Sequence, residues 1–148
     1  MKNENKLIKK VLTLFLIYNS IIIVIIPEGH GGGILILLEI LVIPQLIENG
    51  IDVQKFSFLK SILGIAIIIS LIGKLLLIPT LFYKKTHTIK NWIKIGVTLL
   101  LVSFLLICFK AWGNGFSLFA ITLISGAPFV LYYCRMLFLI NKKSNTNH

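Results

Sequence analysis

The sequence predicts an all-α integral membrane fold. The expected form is a four-helix bundle with a short re-entrant or interfacial segment between its first and second helices, in one transmembrane domain over residues 1–148. Three observations predict it. Apolar residues make up 57% of the chain and charged residues 14%, whereas soluble domains carry about 25% charged residues because a folded surface must be solvated. Mean hydropathy is +0.95, so the excess apolar surface calls for lipid. The apolar residues also fall in runs of membrane-crossing length, and the lysines gather at the ends of those runs.

Helix one is expected over 7–26, stopped by Pro27. Its apolar part, Val11–Ile26, is slightly short of the ~20 residues that span a bilayer, but Lys9 and Lys10 can lay their stems along lipid and place their ammonium groups among the headgroups. Charged and apolar regions in this order resemble a secretory signal. The small-residue cleavage site is missing from Ile25-Ile26-Pro27-Glu28, so the segment reads as an uncleaved membrane helix. Gly31, Gly32 and Gly33 follow, and their tolerance of any backbone angle suggests a flexible hinge.

Residues 34–47 are interrupted by Glu39, Pro44 and Gln45. A mid-helix acid costs roughly 2.5–3.5 kcal/mol on insertion, so this segment is expected to be re-entrant or interfacial, on or partly in the outer leaflet. Helix two is expected over 57–79, closed by Pro79, with Ala66, Ser70 and Gly73 on one face where a neighbour can approach closely. Helix three is expected over 92–109, with Gly96 and Ser103 sharing a face, and a turn over 110–115 leads to helix four over 116–140. Pro128 should kink helix four. The polar tail over 141–148 is expected to be disordered.

Orientation follows from the net charge of +10 and its placement: all five acids lie in the first 52 residues. With four spans and a cytoplasmic N-terminus, twelve Lys and Arg fall inside, and only Lys55, Lys60 and Lys110 fall outside. If 34–47 were a fifth span, the count would be seven inside against eight outside. Only the first is a positive-inside pattern, which places both termini in the cytoplasm and the protein in the cytoplasmic (plasma) membrane. Trp92 and Tyr83 then fall at the inner boundary, and Phe109, Trp112 and Phe116 at the outer one. The same clustering explains the basic balance without nucleic acid as a partner.

Catalytic chemistry finds little to stand on. His30-Gly31-Gly32-Gly33 matches the oxyanion-loop pattern of some lipases and esterases, but the chain has no Gly-x-Ser-x-Gly nucleophile elbow and no acid after Asp52 to orient a histidine. His30, His87 and His148 lack metal-site spacing, and Cys108 and Cys134 form no CxxC. Neither a metal nor another cofactor is expected, and the two thiols are expected to act as buried small apolar groups.

Polar side chains inside the spans are the better lead. Asn19 and Ser20 are expected to bond to a neighbouring helix, while Lys74 and Arg135 are expected to snorkel to the inner boundary. Glu39, flanked by apolar residues, needs a partner or a proton. Lys60 at matching depth is the expected partner, so Glu39 and Lys60 form the candidate intramembrane pair. The resulting expectation is a non-enzymatic accessory or interaction protein. Its partners would be the lipid bilayer and another membrane protein or a second copy of itself. The alternative is a small oligomeric transporter or channel using Glu39 and Asn19.

Overall fold

The computed structural model describes residues 2–25, 32–49, 62–82 and 90–142. Among these it contains five helices and a two-strand hairpin: α1 (Lys2–Ser20), β1 (Ile23–Ile25), β2 (Gly32–Ile34), α2 (Leu35–Asn49), α3 (Ile62–Phe82), α4 (Lys90–Asn114) and α5 (Phe116–Lys142). Ile62–Phe82, Asn91–Asn114 and Phe116–Ile140 are long and apolar enough to cross a membrane. The 21 residues of α3 rise about 31 Å, close to the ~30 Å thickness of a hydrocarbon core. These three helices point to a helical multi-pass membrane protein.

The first apolar run divides where helix one was expected to continue to residue 26. The helix stops at Ser20, and Ile23–Ile25 pairs antiparallel with Gly32–Ile34 in the register Ile23↔Ile34, Val24↔Gly33 and Ile25↔Gly32. Residues 21–26 are all β-branched, and such side chains lose rotamer freedom in a helix but fit a pleated strand. Gly32 and Gly33 are thus a paired strand rather than a hinge. A Cβ on Gly32 would lie 3.1 Å from the Val24 carbonyl oxygen, which is why a residue without one serves here. His30 and Gly31 lie outside the described residues. The Leu35 N–H donates to the Ile22 carbonyl at 2.9 Å and starts α2 directly from the hairpin.

Other boundaries also move. α3 continues through Pro79 to Phe82, and the expected start at 57 lies outside the described residues. α4 absorbs most of the expected 110–115 turn, leaving Gly115 alone between two helices with φ of 133°. Only glycine adopts that angle without strain. Trp112 braces the corner by edge-on contacts with Phe116 and Phe119. α5 remains helical past Pro128 and takes in Asn141 and Lys142 of the expected tail, whose remaining residues are outside the description.

The small-residue faces meet as their spacing predicts. Ala66, Ser70 and Gly73 are buried, and a Cβ on Gly73 would sit 3.3 Å from the Gly96 carbonyl oxygen of α4. Ser103 Oγ donates to the Ala66 carbonyl at 2.7 Å in the same seam. Phe104 fits against Gly126 of α5 and lies 5.4 Å, centroid to centroid, from Phe129. The ring of Phe15 on α1 stacks on Phe129 at 4.8 Å, and Tyr18 meets Tyr132 at 5.0 Å. Cys108 is buried in this core, but Cys134 is exposed on α5, contrary to its expected burial.

Candidate functional site

Four polar side chains are buried together where α1 and α2 meet α3. Lys74 Nζ donates to Glu39 Oε2 at 2.6 Å, and Ser70 Oγ donates to Asn19 Oδ1 at 3.3 Å. Relative exposures are 0% for Asn19 and Ser70, 3% for Glu39 and 7% for Lys74. Residues four apart on a helix are surface neighbours, so Ser70 and Lys74 present one polar edge of α3. Lys74 stands twelve residues beyond Ile62, about 18 Å along the helix. The Glu39 carboxylate is therefore seated well within the length of α3.

Local sequence explains each position. Among the residues of α2 whose burial is described, Leu35, Glu39 and Val42 are buried, recurring at four- and three-residue spacing, while Ile36, Leu37, Ile40, Leu41 and Ile43 are exposed. That stripe turns Glu39 inward. Lys74 follows Gly73, which lets α4 come close on one side. Helical side chains lean toward the N-terminus of their helix, so the Lys74 stem leans away from the Phe82 end. Asn19 sits on the last turn of α1, just before the backbone leaves helical geometry at the hairpin.

Of the pair expected from the sequence, only Glu39 falls within the described residues. Lys60 lies outside the described residues, and the cation at bonding distance from Glu39 is Lys74. Lys74 does not snorkel: its ammonium is turned into the protein. Asn19 bonds across helices as expected, whereas Ser20 Oγ donates to the Leu16 carbonyl of its own helix at 2.9 Å. Arg135 is exposed on α5. Ser125, which the sequence did not single out, accepts the Ile23 N–H at 3.1 Å while donating to the Thr122 carbonyl, and so fixes the hairpin to α5. Among the described residues, no three His, Cys, Asp or Glu side chains converge in a way that could hold a metal ion.

The ion pair neutralises both charges, which an apolar setting requires. Satisfaction is incomplete, however. Asn19 Nδ2 and Glu39 Oε1 are buried with no hydrogen-bond partner among the described residues. A buried donor or acceptor left unmade costs about 1–3 kcal/mol. The arrangement can tie three elements together, and it retains one free donor and one free acceptor. No protein-family model, curated protein or solved structure matches this chain.

Proposed function

We propose that this chain is a small membrane protein of non-enzymatic accessory or interaction type, which binds another membrane protein or assembles as a small subunit. In this reading α1 is a fourth span beside α3, α4 and α5, both termini are cytoplasmic, and the cytoplasmic membrane is the location. The burial of Val11, Leu12 and Phe15 supports an inserted α1, as does the packing of Phe15 on Phe129. The twelve-to-three excess of Lys and Arg supports the orientation.

The observation that carries the accessory reading is the Lys74–Glu39 bond itself. Among the described residues, the acid and the lysine brought together in the bundle are spent on each other at 2.6 Å, fastening helix to helix rather than lining a path. The test is purification from the native membrane in mild detergent, followed by mass determination of the intact complex. A partner present in fixed stoichiometry is the expected result. A lone homo-oligomer that passes solute in reconstituted vesicles would overturn the reading. Reporter fusions at both termini and between α3 and α4 should indicate cytoplasm. An externally active reporter after His148 would sink the four-span orientation.

A second reading, a small oligomeric transporter or channel, is favoured by one observation. Asn19 Nδ2, on the last turn of α1 before the hairpin, and Glu39 Oε1, within α2, have no hydrogen-bond partner among the described residues. Non-helical backbone at membrane depth is tolerated where it is buried in protein or lines a cavity.

A further inference from the structure

We propose that Asn19, Ser70, Lys74 and Glu39 enclose an internal site for one water molecule, which accepts a hydrogen bond from Asn19 Nδ2 and donates one to Glu39 Oε1. The two unpartnered atoms are complementary, one an amide donor and the other a carboxylate acceptor, and both are buried. Each is aimed by the bond that its neighbour already makes. Asn19 is held through Oδ1 by Ser70, which turns the other corner of the amide away from Ser70. Glu39 is held through Oε2 by Lys74, which leaves Oε1 free. Ser70 and Lys74 are one turn apart on α3, and α1 and α2 also touch each other.

The charges select the class of guest. An anion would face the Glu39 carboxylate, and a second cation would face the Lys74 ammonium bound to that carboxylate. An apolar guest would leave both free atoms unpaired. A small neutral molecule that both donates and accepts satisfies both, and water is the smallest of that class. Turning the Asn19 amide over exchanges its free atom from donor to acceptor without changing this selection. The inference does not depend on the accessory reading, because a structural tie and a transport path would both be stabilised by the same guest.

The test uses the full chain, labelled with ¹⁵N, in bilayers of deuterated lipid. Magnetisation transferred from water is read at the Asn19 side-chain amide, which is assigned by its disappearance in Asn19→Leu. The expected result is transfer several-fold faster than to the backbone amides of Leu12 and Phe15, two fully buried residues of the same helix. Thermal melting supplies a second measurement. Ser70→Ala removes the Ser70–Asn19 bond but keeps both anchors of the water, whereas Asn19→Leu removes the same bond and one anchor. Asn19→Leu should therefore melt lower than Ser70→Ala. A side-chain amide as slow as the Leu12 and Phe15 amides would overturn the proposal. So would Asn19→Leu melting no lower than Ser70→Ala, because an unfilled site gains from losing an unpaired donor.

Discussion

Where α4 lies against α3, the contact depends on side chains that are small or absent. Gly73 and Gly96 face each other closely enough that a Cβ on either would meet the other's carbonyl oxygen at 3.3 Å, and Ser103 closes the seam with a hydroxyl on the Ala66 carbonyl. Where α2 lies against α3, the buried stripe is Leu35, Glu39 and Val42, with no small residue to admit a neighbouring backbone. That seam is held instead by the Lys74–Glu39 bond. Lipid tails are as apolar as leucine, so helices in a membrane gain little from burying apolar surface against one another. Close packing and polar bonds are what remain. The α3–α4 seam uses many weak contacts, each of modest consequence when lost. The α2–α3 seam concentrates its energy in one bond whose halves are costly when separated.

The largest expected effect follows from that concentration. Lys74→Met or Glu39→Leu alone leaves a buried charge without its partner, at a cost of roughly 3–5 kcal/mol. The double variant should recover most of the loss, since replacing a buried pair by apolar residues is often neutral or stabilising by ~1–4 kcal/mol. Equilibrium unfolding in detergent of the four members of the cycle measures the coupling. Additive losses would mean that the pair is solvated and that α2 is held by other contacts.

The same two seams show what could be read from the sequence. The spacing of Ala66, Ser70 and Gly73 placed a neighbour on that face, and Gly96 and Ser103 supplied the matching face of α4. Both signals are local periodicities, which a helix preserves in space. Lys74 obeys the same periodicity, four residues after Ser70 and one after Gly73. Its distance from the helix end suggested snorkelling, but its angular position on the buried face decides its direction. The partner of Glu39 was therefore legible from the face and hidden by the depth argument. The hairpin was harder to foresee. An isoleucine run after α1 suits a membrane helix by hydropathy and a strand by β-branching, and only the distant Gly32–Gly33 pairing settles which wins.

A smaller effect should come from filling the glycine seam. Gly96→Ala places a methyl group 2.6 Å from Leu77 Cγ, and Leu77 is fully buried, while the Gly73 carbonyl at 3.3 Å closes the other side. Overpacking of this kind costs typically about 1–3 kcal/mol. Leu77→Ala in the same chain should restore part of the loss by making room, as read by the same unfolding curves. An unchanged midpoint for Gly96→Ala would show that α3 and α4 can slide apart freely, and the contrast with the α2 seam would weaken. Ser103→Ala removes a single hydroxyl from that seam. Its expected loss is on the order of 0.6 kcal/mol, the average for interhelical hydrogen bonds measured in a membrane protein. A loss as large as that of Lys74→Met would mean that the hydroxyl, and not the glycine pair, holds the helices together.

Comparably small effects are expected at the cysteines, the least of them at Cys134, and they separate core packing from lipid contact within one helix pair. Cys108 is buried on α4, and Cys108→Ala removes one sulfur at a cost of no more than about 1 kcal/mol, similar to a buried methylene. Cys134 is exposed on α5, and Cys134→Ala should stay within about 0.5 kcal/mol of the parent. A lipid-soluble maleimide should accordingly modify Cys134 well before Cys108. The two thiols should also fail to join within one chain. α4 and α5 fold back on each other at Gly115, as the Trp112–Phe119 and Phe104–Phe129 contacts require. Cys108 lies seven residues before that corner and Cys134 nineteen after it. At ~1.5 Å per residue this separates them by roughly 18 Å along the bundle, whereas a disulfide needs Cα atoms within about 7 Å. Mass spectrometry of the monomer after mild oxidation reads the outcome. A high-yield Cys108–Cys134 bridge within one chain would mean that α4 and α5 do not run antiparallel from Gly115, and the seam between α3 and α4 would have to be rebuilt with them.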